Sequence, residues 1–230
     1  MTKIFRHGPL ENVADDLWMV TGSSAFPLPR NMIIHRLRSG GLFLHSVVAM
    51  HDEGMDALSA LGRPEVIVVP SPFHRLDAPF FRRRYPDALM LCPAAVRSRV
   101  EERVPIQGTC EDRLEAYGIK AHRPTGLKPL ELVYELDVGS DKALVFNDAL
   151  FHLEHQPGLA GVVLRGLGST GFFGMSRLSR FTMLESPSDY AEWLQRMAEL
   201  PRLVALTVSH GAAVTREVPE RLREAAARLT

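Results

Sequence analysis

The feature that most constrains this chain is the alternation that fills residues 42 to 100. An apolar run from Leu42 to Val48 precedes Met55, Leu58 and Leu61 at helical spacing, with Gly62 placed to end the turn. The run Val66 to Val69 follows, bounded by Pro70; then come a helical stretch from Asp77 to Tyr85, a strand from Ala88 to Leu91 and a further helix from Pro93 to Val100. Continuously apolar strands belong to sheets covered on both faces, and helices between them supply the crossovers of a partly parallel sheet. Upstream, Leu17 to Val20 and Met32 to Leu37, with a Ser39-Gly40-Gly41 turn, read as hairpin strands.

The second half begins in the same way. Leu132, Tyr134 and Leu136 alternate with Glu131, Val133 and Glu135 up to the Gly139-Ser140 turn, and Ala143 to Phe146 returns. Ser186, Pro187 and Asp189 stand in cap order before a stripe of Tyr190, Trp193, Leu194, Met197 and Leu200, which Pro201 stops. Leu203 to Val208 reads as a buried strand, and Pro219 opens a last amphipathic helix through Leu222 and Leu229. Two halves, about 1–125 and 126–230, each hairpin first and helix-strand later, predict one α/β domain: a four-layer αββα sandwich of two mixed sheets with helices outside.

Composition narrows the function. With 230 residues and 46% apolar side chains the chain can bury a sizeable core. Its 27 basic residues balance 27 acidic ones, so no net field draws it to nucleic acid or to an anionic membrane. Cys92 and Cys110 make neither a zinc cluster nor a disulfide framework. No secretory signal or membrane-spanning run is evident, and the expected location is the cytoplasm. The run Arg82-Arg83-Arg84 reads as the solvated end of a helix.

Several short motifs then occur in a telling order: Asp-Leu-Trp at 16–18, Pro-Arg-Asn-Met at 29–32, Gly-Gly-Leu-Phe-Leu-His-Ser at 40–46, and Pro-Ser-Pro-Phe-His at 70–74 followed by Tyr-Pro-Asp-Ala at 85–88. With the order of elements, they resemble the metallo-β-lactamase superfamily, and more closely a family of unassigned activity within it whose metal motif is degenerate. The closer likeness covers roughly the first hundred residues. The resemblance implies a His-x-His-x-Asp-His loop after the first parallel strand. Laid without gaps on residues 71–76, its ligand positions become Ser71, Phe73, Arg75 and Leu76, so none is kept. The next ligand, a His in a Gly-His-Thr-Pro-Gly turn, falls on Leu127.

Two positions survive. The bridging Asp of the superfamily matches Asp148, in Asn147-Asp148-Ala149-Leu150-Phe151, and the final His matches His210, in Ser209-His210-Gly211. His74 lies one place off register and could reach inward. His74, Asp148 and His210 would make three donors for one zinc or iron ion, with Asp148 and His210 as the catalytic pair; if they do not meet, no ion is bound. His45 ends a hairpin strand where many relatives bury an Asp beneath the site, and Arg30 or Arg75 would hold an anionic group of an unknown small-molecule substrate. The bland reading is that these strand-end residues only cap backbone groups. His152 and His155 read as loop residues, and His35 as a face residue.

Gly166-Leu167-Gly168-Ser169-Thr170-Gly171 has the G-x-G-x-x-G spacing of a dinucleotide loop, with Glu185 and Asp189 about the right distance on. Gly174 interrupts the helix that should follow. The alternative is a mobile segment in which Phe172, Phe173 and Met175 cover the site or a partner copy in a homodimer. No G-x-S-x-G elbow is present, and Cys92 before Pro93 reads as a packed thiol. The sequence thus points to a metal-dependent hydrolase or to a non-catalytic descendant of one.

Overall fold

The computed structural model describes residues 3–25 and 28–229; Met1, Thr2, Phe26, Pro27 and Thr230 lie outside them. The chain divides into two compact units, Met1–Ala121 and His122–Thr230.

The first unit is built on a seven-stranded sheet of order β1-β2-β3-β4-β5-β6-β7. Strands β1 (Glu11–Ala14), β2 (Leu17–Gly22), β3 (Arg30–Arg36) and β4 (Leu42–His45) pair antiparallel in succession. From β4 on, β5 (Pro64–Val68), β6 (Leu89–Cys92) and β7 (Gly108–Thr109) are parallel. Helices α1 (Asp52–Leu61) and α2 (Ala78–Arg84) make the crossovers, as the alternation predicts. Gly62 ends α1 at φ +151°, where a Cβ would lie 2.7 Å from the Gly40 carbonyl oxygen, so the turn requires glycine. Pro93 to Val100 is less regular than expected: a 3₁₀ turn over Ala94–Val96 leads into the short α3 (Arg97–Glu101). A short α4 (Cys110–Arg113) begins at Thr109, whose hydroxyl accepts the Asp112 N–H. Met32, Ile34, Leu44, Ile67, Met90 and Phe81 belong to this unit's apolar core.

The second sheet has order β11-β10-β9-β8. The division between units falls at β8 (Lys120–His122); β9 (Val133–Val138) and β10 (Asp141–Val145) form the predicted hairpin, and β11 (Leu203–Thr207) joins β10 in parallel. The alternation in β9 does not produce a wet face. Glu135 is buried, its carboxylate meeting His122 Nε2 at 2.9 Å and Lys142 Nζ at 3.1 Å. These partners let a charge sit where periodicity predicts solvent.

Two helices fall in the stretch expected to be mobile: α5 (Gly158–Gly166) and α6 (Arg177–Met183). The glycine motif therefore follows a helix instead of a strand, which removes the dinucleotide reading. Phe173 and Met175 are core residues and do not cover a surface. The capped stripe becomes α7 (Pro187–Ala198), with the Ser186 hydroxyl accepting the Asp189 N–H; α8 (Val218–Ala227) closes the unit. Tyr190, Trp193 and Leu194 of α7 and Leu222 of α8 pack with Leu144 and Leu206 of the sheet. No helix of the described residues is long and apolar enough to cross a membrane.

Candidate metal site

Strands β10 and β11 are adjacent and parallel, so the segments leaving their carboxyl ends emerge side by side, where open α/β sheets place ligands. Asp148 stands three residues beyond β10, and His210 three beyond β11. Although 62 positions apart in sequence, they meet: His210 Nε2 is 3.1 Å from Asp148 Oδ1. The His210 ring stacks on Phe151, with centroids 5.0 Å apart and planes at 20°. The other Asp148 oxygen accepts from Asn147 Nδ2 at 2.9 Å, and Asn147 Oδ1 accepts the Ser209 hydroxyl at 2.8 Å. Four side chains thus tie the two strand-end loops into one network and fix where the carboxylate and imidazole point.

Glu131 anchors this loop from beneath, a role that sequence reading missed. It is 2% exposed, and its carboxyl accepts the backbone N–H groups of Asn147, Asp148 and Ala149 at 2.8, 2.8 and 2.9 Å. Burial, with the neighbouring Asp148 charge, outweighs these donors and pushes the Glu131 pKa up to about 8. A second anchor comes from the unpredicted α6, whose Ser179 hydroxyl donates to the Asp148 carbonyl at 2.8 Å.

In the first unit, His74 ends the 3₁₀ turn Pro72–His74 and is buried, with Nδ1 2.7 Å from the Ser46 hydroxyl. Ser46 has φ +57°, a left-handed conformation that costs an L-residue roughly 1–2 kcal/mol. That strained residue is held where its side chain orients His74, a coincidence that often marks functional sites.

The residues expected to bind substrate are occupied otherwise. Arg30 is buried against Asp77, whose Oδ2 also accepts the Ala49 N–H at 2.9 Å, so the guanidinium serves the core of this unit and not a substrate anion. His45 is fully buried at the end of β4, between Ile33 of β3 and Val68 of β5. Arg75 Nη1 donates to Glu102 at 2.8 Å. His35 is buried as well, Nδ1 lying 3.0 Å from the Asp16 carbonyl, and so is not a face residue. His152 and His155 hold loop groups through Nδ1, at the Ala212 carbonyl and the Thr170 hydroxyl.

Phe73 and Leu76 are 74% and 50% exposed, while Leu127 is buried in the apolar core of the second unit. Cys92 is the packed thiol expected, its pKa pushed up to about 12, chiefly by burial.

No protein-family model and no curated protein sequence matches the chain. Solved structures do. The DIM-1 metallo-β-lactamase exposed to ceftazidime aligns over 100% of both chains at 14% identity and a TM-score of 0.63. A metallo-β-lactamase from Erythrobacter litoralis with β-mercaptoethanol in its active site aligns over 98% of this chain and 100% of its own, at 13% identity and 0.64. FIM-1 from Pseudomonas aeruginosa in its mono-zinc form aligns over 96% of each, at 12% identity and 0.62. These alignments run through both units, and with them the order of strands and helices has its explanation: the chain has the metallo-β-lactamase fold.

Proposed function

We propose that the chain is a mononuclear metal-dependent hydrolase whose three protein donors are His74, Asp148 and His210. The observation that carries this reading is the Asp148–His210 pair, held at the carboxyl ends of two parallel strands by a network too elaborate for a loop cap. Two imidazoles and one carboxylate suit zinc or iron and leave a position for water. Loaded with such an ion, the site would supply Lewis-acid polarisation and a water acidic enough to be a nucleophile near neutral pH.

The chain's own residues do the rest. With the His74 proton on Nδ1, donated to Ser46, Nε2 is the ligating nitrogen. Asn147 and Glu131 hold the Asp148 carboxylate and its backbone in place, so the donor does not have to be ordered on binding. Without an ion, His210 Nε2 and Asp148 Oδ1 lie 3.1 Å apart, so an ion bound between them would replace this direct contact. Arg75, adjacent to His74 and paired with Glu102 at 2.8 Å, would have to exchange that partner to meet an anionic group on the substrate, which we take to carry an ester, lactone or phosphoester bond.

One ion and not two follows from the filled positions: Ser71, Phe73, Arg75, Leu76 and Leu127 leave no imidazole or carboxylate donors for a second. That FIM-1 was solved in a mono-zinc form agrees with a single ion on this fold. A second reading has its own support. Asp148 and His210 satisfy each other directly, as they would in a descendant that binds a small molecule or partner without cleaving it.

Elemental analysis of protein purified without chelator, followed by assay of the loaded protein on ester, lactone and phosphoester panels, separates the readings. About one ion per chain with activity abolished in His210→Ala supports the hydrolase. One ion without turnover on any panel favours the binding descendant, and absence of metal overturns both the donor set and the chemistry.

A further inference from the structure

We propose that the first unit also holds a binding site for a soluble anionic amphiphile, a molecule with an apolar body ending in a carboxylate or phosphate. The site is a cleft of about 1100 Å³, lined on one side by Lys3, Arg83, Arg84 and Arg103. The cleft is open to solvent, so a ligand would lie along its wall and not be enclosed by it.

Its charge is unbalanced for a specific reason. The sole acidic residue lining it, Asp77, already faces Arg30 and the Ala49 N–H, so its charge is neutralised from inside. The nearby carboxylates Glu101 and Glu102 are engaged by Arg97 and Arg75. Lys3, Arg84 and Arg103 have no carboxylate partner among the described residues; Lys3 instead sits 4.9 Å over the Phe5 ring. The position of Arg83 and Arg84 in the last turn of α2 suits the helix dipole. The dipole does not account for Lys3 and Arg103 arriving at the same cleft from two other segments. Arg82 turns away, Nη1 donating to the Pro86 and Ala88 carbonyls.

The remaining lining is apolar, with Phe5, Leu76 and Phe80 prominent. Leu76, half exposed, thereby has a use that neither the metal site nor the core gives it. Cations on one side and bare hydrocarbon beside them match an amphiphile better than a simple anion, which would gain nothing from the apolar part. The site uses none of His74, Asp148 or His210, and its test needs no metal.

Octyl phosphate, titrated calorimetrically below its micellar range into the full chain, is the probe. The expected result is one molecule per chain, weakened by added salt, with inorganic phosphate and octyl glucoside each at least about tenfold weaker. Arg84→Glu with Arg103→Glu should lower octyl phosphate affinity by about tenfold or more while leaving the melting temperature near that of the parent, since both residues are exposed. Leu76→Ser should weaken octyl phosphate and leave inorganic phosphate unchanged. Inorganic phosphate binding as tightly as octyl phosphate would overturn the amphiphile. Unaltered affinity in the double variant, or binding only to vesicles of anionic lipid, would overturn the site.

Discussion

Glu131→Gln perturbs the anchor of the Asp148 loop while keeping its shape. In the parent, both carboxyl oxygens accept backbone N–H groups, and burial with the Asp148 charge raises the pKa from 4.5 to about 8. Below pH 4.5 the carboxyl is protonated in folded and unfolded chains alike. Between 4.5 and 8 the unfolded chain has lost the proton and the folded one keeps it, so the folded state binds more protons and stability falls as pH rises. Across the whole interval this amounts to roughly 5 kcal/mol, of which about 3 kcal/mol is lost between pH 5.5 and 8. The glutamine variant has nothing to titrate. Its amide nitrogen faces either the Asn147 N–H or the two N–H groups of Asp148 and Ala149, at a cost of about 1–3 kcal/mol at every pH. Urea denaturation of both proteins in chelator at pH 5.5, 7 and 8.5 should therefore show the parent ahead at pH 5.5, with the gap closing or reversing by pH 8.5. Using the difference between the two proteins cancels the titration of the histidines. A gap that stays constant, or widens with pH, would show that Glu131 is ionised throughout and that the account of its burial is wrong.

Arg30→Met should cost about 3–5 kcal/mol in urea denaturation, because it strands Asp77 in the core, and adding Asp77→Asn should restore part of the loss; a cost below about 1 kcal/mol would return Arg30 to the list of substrate candidates. The buried Cys92, its thiol pushed up to about 12, should resist aromatic disulfide reagents at pH 8 until the protein is unfolded, and prompt labelling of that residue in native protein contradicts its packing. Tyr190 buries a hydroxyl that has no hydrogen-bond partner among the described residues, so Tyr190→Phe should leave stability unchanged or raise it by up to about 1 kcal/mol; a clear loss would reveal a partner.

What could be read from the sequence was what depends on local pattern. The runs Val66 to Val69 and Ala88 to Leu91 and the stripe of α7 fell where periodicity places them, because each buries a continuous face. Helix α5 escaped notice because its glycines argue against helix on propensity alone. In the structure a Cβ on Gly161 would lie 1.6 Å from the Gln156 carbonyl oxygen, so packing demands the residue that propensity penalises. Asp148 and His210 were legible as strand-end residues, yet Glu131 and Ser46, which help position the candidate donors, were not. Glu131 sits in an alternating run that reads as a solvated face, and Ser46 acts through a backbone conformation that residue type does not announce. Arg30 was misassigned because its partner lies 47 positions away, a contact that no local pattern encodes.

The central claim is that His74, Asp148 and His210 together hold one ion. Zinc titration against a chromophoric chelator, in the parent and in His74→Ala, Asp148→Asn and His210→Ala, measures it directly. One zinc per parent chain is expected, and for each variant a loss of affinity larger than the roughly 10–100-fold that changes to supporting residues cost. Two zinc ions per chain, none, or full affinity in any one of the three variants would contradict it.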